Sequence, residues 1–361
     1  MWRSFLSKKG YWSCVESLNR YGQVGHQLEL YSTVLAKNYQ FIKTCLGAEW
    51  DSFLASSPDS SIFLTSTYLR NAGVPLGLYA VYNSNELRAL VALAENSDGS
   101  AAVSDDLIVY SGLCLGSPAL NQVHSQTLSE RHEITYFVAE QLALIYRNIN
   151  FSLSPSITDI RPFLWYNYGQ EQERYLIDVR YTSYLSISDF RSATKNEDIG
   201  VYNKASVARR QQIRYARRDG VFTEEFQDVT VFIDFYRKTM ARQGENLEDS
   251  KIERMRELVD KLLATGHARM YGARTSKGDL GSVAVFGIDT LRAYYLFGAN
   301  DPEFRNTPTG TSVLWDAFFS LSSLGVEEVD MEGVNSPRRG WFKLSFGGDL
   351  RPYYQVCMCN P

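Results

Sequence analysis

The chain has little of what the commoner catalytic sites are built from. It holds four histidines and five cysteines in 361 residues, and the cysteines, at 14, 45, 114, 357 and 359, form no CxxC pair. An odd number without that spacing reads as reduced thiols, not as a disulfide framework or a zinc site, and makes the cytoplasm the expected compartment. Cys357-x-Cys359 alone is short of the ligands a structural metal needs, so no metal site is expected. His26, His124, His132 and His267 adjoin no nucleophile elbow, which leaves a covalent mechanism without its parts. GxGxxG is absent, removing the dinucleotide fingerprint. Arg3, Lys8, Lys9, Glu16 and Arg20 break up the start of the chain, and no later apolar run approaches a membrane span. A net charge of −4 and a pI near 5.7 exclude a protein whose whole surface binds nucleic acid, while a local basic stripe stays open.

What is present is globular and rich in tyrosine. Hydrophobic residues make up 44% and charged residues 22%, and the 23 tyrosines suit grooves for polar ligands as well as plain packing. The length favours two domains over one core. Residues 1–45 lack a strong period until LELYSTVLAKNYQFIKTCL and read as an N-terminal extension. EWDSFLASS and TSTYLRNAG then predict short helices, LGLYAVY, ELRALVALAE and LIVYSGLCL predict strands, and Asn83-Ser84-Asn85 makes the first hairpin turn. Thr127 and Glu130 form a capping box for a helix with Ile134, Phe137, Val138, Leu142 and Ile145 on one face. INFSLS and RYLIDVRYTSYLSI follow as strands. These elements make a first domain over 46–190, with the strand over 348–361 a candidate to join it.

From 191 to 220 the composition turns basic. KASVARRQQIRYARRDG predicts a linker helix with Arg210, Arg214 and Arg217 on one face and Arg209 and Arg218 flanking. It reads equally as a solvated face or as a contact for phosphate on a nucleotide or RNA. The second half, 221–347, repeats the order of the first. VFIDFYRKTMARQG and a helix opened by Ser250 and Glu253 precede strands HARMYGAR, LGSVAVFGID and LRAYYLFGA. A helix from about Thr311 to Leu324 and the strand VEEVDMEG complete it, and RPYYQVCM adds a last strand.

Between Leu291 and Gly347 the residue types converge on chemistry. Arg305, Thr309, Gly310 and Thr311 bring a guanidinium and unsatisfied amides together at a helix start, where a diphosphate would fit. An ordinary capped core helix would read the same way. Asp330 and Glu332 alternate onto one face of their strand, either as base and amine anchor or as caps of neighbouring turns. Tyr294 and Tyr295 point to opposite faces, so one at most lines a cleft. Gly298 is placed to open its strand as a bulge and leave an amide for an oxyanion.

These segments resemble a known family. Arg305-x-x-Pro308-x-Gly310 after an aromatic strand is similar to the pyrophosphate turn of GNAT acyltransferases, with proline in place of the first glycine. RRQQIRYARRDGV, FGANDPEFRNTPTGTSVLWDAF, the strand ending VDMEGV and GWFKLSFGGDLRPYYQV together resemble the FemAB branch, in which two GNAT units share one chain. The resemblance implies an α/β, or mixed α+β, fold of two tandem GNAT-like units, each a mostly antiparallel mixed sheet flanked by helices. It implies transfer of an acyl group to a primary amine by direct attack, with the site in the second unit or between units. Lys343 matches the family's signature lysine and would stabilise charge at the reacting carbonyl; otherwise it is a lysine snorkelling beside Phe342 and Phe346. Arg210, Arg214, Tyr294, Tyr295 and Phe342 are the expected acceptor contacts. The leading expectation is acyl-CoA as cosubstrate, with no permanently bound cofactor, and an amine on an envelope or polysaccharide precursor such as a nucleotide-linked amino sugar. The alternatives are an aminoacyl-tRNA-dependent transferase and a degenerate repeat that only binds.

Overall fold

The computed structural model describes residues 39–359 apart from Asn246 and Leu291. The extension expected at the N-terminus, and LELYSTVLAKNYQFIKTCL as far as residue 38, lie outside them. The first half runs β1 (Tyr39–Lys43), α1 (Ala48–Ser56), α2 (Ser66–Asn71), β2 (Leu76–Asn83), β3 (Glu86–Glu95), β4 (Ala101–Val103), β5 (Gly112–Leu115), α3 (His124–Ile145), β6 (Asn148–Ser152) and α4 (Arg161–Trp165). After β7 (Leu176–Ser186) come α5 (Gly200–Lys204), α6 (Val207–Arg218), β8 (Phe222–Glu225), α7 (Val229–Arg242), α8 (Asp249–Ala264), β9 (Ala268–Arg274), β10 (Leu280–Ile288) and β11 (Arg292–Asn300). The chain finishes with α9 (Thr309–Ser323), β12 (Glu328–Asp330), α10 (Pro337–Leu344) and β13 (Asp349–Cys359).

All the strands join one mixed sheet in the order β1-β2-β3-β4-β6-β13-β7-β12-β11-β10-β9-β8, with β5 pairing β3 off this path. Each half contains one parallel pair, β4 on β6 and β11 on β12, in otherwise antiparallel surroundings. This is the expected architecture of two tandem GNAT-like units. The halves meet at β13 and β7, which pair from Asp349↔Tyr184 to Cys357↔Leu176, while the end of β13 also pairs β6.

Three apolar clusters cover the sheet. One face carries a core shared by both halves, in which Trp50, Phe63 and Leu69 pack with Phe232, Met255 and Leu262. The opposite face is split, with Ile134, Leu142 and Phe163 over the first half and Ile213, Trp315 and Phe318 over the second. No helix among the described residues is long and apolar enough to cross a membrane.

Local differences from the sequence reading have local causes. The helix expected to be capped by Thr127 and Glu130 begins a turn earlier, where Gln126 Oε1 accepts from the Val123 N–H at 3.1 Å. Glu130 is instead paired to Arg88 at 2.8 Å. The helix attributed to Ser250 and Glu253 starts at Asp249 with Glu248 as cap, and Glu253 pairs with Arg256. LIVYSGLCL supplies a strand only from Gly112, and Ala101–Val103 is a strand that its small side chains did not announce. KASVARRQQIRYARRDG divides into α5 and α6, because Ala205 and Ser206 are extended and Ser206 Oγ caps the Arg209 N–H at 3.2 Å. The strand expected over VEEVDMEG holds its pairing only from Glu328 to Asp330, and α10 forms within GWFKLSFGG and the arginines before it.

Candidate functional site

The parallel pair of the second half is where a site can open. β12 pairs β11 over only three positions, Arg292↔Glu328 to Tyr294↔Asp330. Past them β11 continues to Asn300 while the other chain turns away at Glu332, whose φ of 53° is left-handed. That conformation costs a residue with a Cβ about 1 kcal/mol or more, which the packing around it must supply. The strands therefore part beyond Tyr294.

A bulge in β11 shapes the other lip. Val285 pairs with Phe297 and Phe286 with Tyr295, so Leu296 is the extra residue, two places before the glycine at which the sequence placed the bulge. Leu296 and Phe297 consequently both belong to the shared core, whereas Tyr295 packs with the α9 face. Gly298 stays in register opposite Ala284. Asp301 donates to Gly281 on the β10 side and Asn300 donates to Thr239 Oγ1 on the other, so alternation turns the Gly298 N–H away from β10, toward the gap. A Cβ on Gly298 would lie 1.8 Å from the Tyr295 hydroxyl, so this position needs glycine for room.

α10 closes the gap from beneath. It comes so near the turn after β12 that a Cβ on Gly340 would stand 2.3 Å from the Val334 carbonyl oxygen. Lys343, one turn on, reaches the carbonyl oxygens of Glu332 and Gly333 at 3.4 and 3.3 Å and lies 5.4 Å from the centre of the Tyr295 ring. It does not snorkel between Phe342 and Phe346; Arg209 occupies both of those rings, at 4.4 and 4.3 Å. Glu332 is 7% exposed and its Oε1 has no hydrogen-bond partner among the described residues. Burial pushes its carboxyl well above the usual range, and burial pulls the Lys343 ammonium down, each charge partly offsetting the other.

Lys343 and Glu332 line a pocket of about 600 Å³ between the two halves of the chain. Its walls include Leu107 of the first half, Arg180 of β7, Tyr353 of β13, and Met255, Phe297 and Arg339 of the second. The volume is that of a small-molecule site. Arg180, Arg339 and Tyr353 were not singled out from the sequence: the pairing of β7 with β13 sets Arg180 opposite Tyr353, and α10 brings Arg339 to the same pocket.

Asp330 does not reach this pocket. It is fully buried, accepting from Tyr110 at 2.9 Å, Thr182 at 2.5 Å and the Glu332 N–H at 2.7 Å. The alternation that put both carboxylates on one face fails at the left-handed Glu332, and Asp330 is the turn cap. Tyr294 is also fully buried, donating to Asp289 Oδ2 at 2.7 Å, and can touch no acceptor.

The expected anion site at the start of α9 lies toward the opposite face of the sheet. The helix begins at Thr309, two residues earlier than expected, with Pro308 O accepting from both Thr311 and Ser312, so the Thr309 and Gly310 amides precede the first intrahelical bond. Arg305 is exposed on the turn before it. The side chains of Thr309 and Thr311 are engaged within the fold: Thr309 Oγ1 accepts from Ser282 at 2.9 Å, and Thr311 donates to Gln212 at 2.6 Å while accepting from Arg209. Arg209 is the cation the sequence passed over as a flanking residue. It is 7% exposed, bonds Ser345 Oγ at 2.9 Å and Gln212 Oε1 at 2.7 Å, and pairs with no carboxylate among the described residues; burial lowers its pKa to about 10. Arg214 and Arg217 are exposed, Arg217 being paired to Asp316 at 2.7 Å. Arg210, Arg214, Tyr295 and Phe342 do not line the pocket.

Comparison with known proteins agrees with this architecture. Residues 203–338 match the family model described as an acetyltransferase (GNAT) domain. Among solved structures, the chain is similar to FemX, with a TM-score of 0.58 at 13% identity over 87% of this chain and 96% of that one. It is also similar to a conserved protein of unknown function from Bacteroides thetaiotaomicron, with a TM-score of 0.55 at 12% identity over 88% and 99% of the two chains. A third is the C-terminal domain of a putative lysylphosphatidylglycerol synthetase from Agrobacterium fabrum, with a TM-score of 0.50 at 12% identity over 85% and 89%. At these identities the likeness is one of fold. No protein of curated function matches in sequence. The chain thus has the FemAB-like, double-GNAT fold, with an acetyltransferase (GNAT) domain matched over residues 203–338.

Proposed function

We propose that the protein moves an acyl group from acyl-CoA to a primary amine of an envelope or polysaccharide precursor, such as a nucleotide-linked amino sugar, in the cytoplasm. The donor lies along the α9 face with its phosphates at the Thr309 and Gly310 amides, beside Arg305 and the uncompensated Arg209. Its thioester enters the gap between β11 and the turn after β12, and the acceptor occupies the pocket on the other side. The amine arrives as an ammonium and gives one proton to Glu332; the neutral nitrogen then attacks the carbonyl carbon. The Gly298 N–H and Lys343 stabilise the oxyanion; its collapse breaks the C–S bond, and the second proton of the nitrogen passes to the departing thiolate, which leaves as the thiol. No covalent enzyme intermediate is needed.

The observation that carries this reading is the partnerless carboxylate oxygen of Glu332 beside Lys343 at the edge of the gap. A buried acceptor without a donor is costly, and an incoming ammonium supplies that donor. The test is release of free thiol from acetyl-CoA in the presence of amine acceptors. Absence of amine-dependent thiol release across amino sugars, their nucleotides and peptides would reject it.

A second reading, with aminoacyl-tRNA as donor, draws on the exposed Arg214 and the half-buried Arg210 of α6, beside the α9 start and without ion pairs among the described residues. An RNA donor predicts binding that weakens steeply with salt.

A further inference from the structure

Cations and acids line the pocket in equal number, but among the described residues only Lys251 and Asp106 of that lining pair with each other. Arg339 and Lys343 stand four residues apart on α10, so two like charges stack on its pocket side. Such a pair weakens a helix unless something between or above it is negative. Arg180 joins them from β7; its nearest carboxylate is Asp178 at a long 3.4 Å. The acids on the other wall are already engaged, Asp105 with Arg254 at 3.0 Å and Asp106 with Lys251, and Glu245 is exposed at the rim. Arg339 forms no ion pair among the described residues. Of the acids in this lining, Glu332 is the buried one, with an Oε1 that has no hydrogen-bond partner among the described residues.

A ligand that satisfies both features must itself carry both charges. We propose that the acceptor is a primary amine bearing an anionic group, with its ammonium on Glu332 and its phosphate or carboxylate held between Arg180 and Arg339. This deepens the acyl-transfer reading, on which the term acceptor rests, but the charge pattern stands on the pocket alone. Arginine suits the role because its planar fork matches an oxyanion in two hydrogen bonds. Ser152 of β6 and Gln355 of β13 add polar lining on the Arg180 side, which fits a hydroxylated body better than an alkyl chain. Because Arg180 belongs to β7 and Arg339 to α10, the acceptor is read by both halves of the chain at once.

The test is titration calorimetry on the full chain with four probes: glucosamine 6-phosphate, 6-aminohexanoate, glucosamine and glucose 6-phosphate. At least one of the two probes that carry both charges should bind about tenfold or more tighter than either singly charged sugar, equivalent to about 1.4 kcal/mol. Whichever of those two is preferred identifies the anion as phosphate or carboxylate. The double variant Arg180→Ala with Arg339→Ala should bring the preferred probe down to the level of glucosamine, and Glu332→Gln should bring glucosamine 6-phosphate down to glucose 6-phosphate. Equal binding of glucosamine and its 6-phosphate with no gain for 6-aminohexanoate, or a preference that survives the double substitution, overturns the proposal. Coenzyme A binding and thiol release from acetyl-CoA are read separately. Their loss with the charge dependence intact sinks only the transfer reading, and the converse sinks only this one.

Discussion

The Lys343 ammonium nitrogen rests 3.4 Å from the main-chain oxygen of Glu332, while the carboxylate of the same Glu332 has an oxygen that nothing in the fold contacts as a donor. The lysine is thus held by backbone and the acid is left for something else. In the proposed reaction this division gives Lys343 the charge on the substrate carbonyl and Glu332 the proton.

Lys343→Met should lower turnover by about a hundredfold, the loss typical of removing one oxyanion stabiliser, with little change in KM. Methionine keeps the length of the stem without a buried charge, so unfolding in urea should shift by no more than about 1 kcal/mol. Steady-state kinetics and a denaturation curve on the same preparation check this. Full activity in the variant would remove Lys343 from the chemistry.

Glu332 predicts a pH dependence of definite sign. Its folded pKa lies well above the unfolded value of about 4.3, so the folded chain holds that proton more tightly. The stability this contributes is complete below the unfolded value and is lost as pH rises through the folded one. Glu332→Gln should therefore flatten the decline in stability between the unfolded value and the folded one. A base must be ionised to act, so kcat/KM should rise with pH through the same raised pKa and lose that limb in the variant. An unchanged pH profile would mean that the proton goes elsewhere.

Asp330 predicts the opposite kind of outcome. Its three hydrogen bonds tie Tyr110 of the first half to Thr182 of β7 and to the turn at Glu332. Asp330→Ala leaves buried donors unpaired and should cost about 2–4 kcal/mol of stability, and Tyr110→Phe about 1 kcal/mol. Calorimetric melting of both variants measures it. A stable but inactive Asp330→Ala protein would return this residue to the site.

Much of the fold was legible because the repeat of helices, strands and crossover helix in each half follows periodicity and turn chemistry. The parallel pair at β11 and β12 follows from a strand, a helix and a strand in succession, while Lys343 was singled out by a short motif and Glu332 by the alternation of its strand. The rest depended on contacts distant in sequence. Asp330 and Glu332 share a strand's alternation on paper, yet a single left-handed residue turns one into the core and the other into the pocket. Tyr294 was indistinguishable from Tyr295 until Asp289 and Phe63 closed around it. Arg209 looked like the edge of a basic face, but the break at Ala205 and Ser206 rotates α6 so that this arginine, not Arg210, faces inward.

Arg209 and Arg305 separate the two donors. Each faces the start of α9 differently: Arg209 is buried against Thr311, and Arg305 is exposed on the preceding turn. If the donor is coenzyme A, its diphosphate compensates a guanidinium that the fold leaves without a carboxylate. Arg305→Ala should then weaken coenzyme A binding by about 1–3 kcal/mol with no loss of stability. Arg209→Met should weaken it by at least as much, yet raise the melting temperature of the unliganded chain, because a buried uncompensated charge is replaced by an apolar stem. Lys or Arg side chains on α6 that meet RNA would instead add to a salt slope, so Arg210→Ala with Arg214→Ala should flatten the dependence of tRNA binding on salt and leave coenzyme A untouched. Melting curves with each ligand at two salt concentrations distinguish the cases. Arg209→Met that neither stabilises the free chain nor weakens either ligand would make this arginine a packing element, held by Phe342, Phe346, Ser345, Gln212 and Thr311.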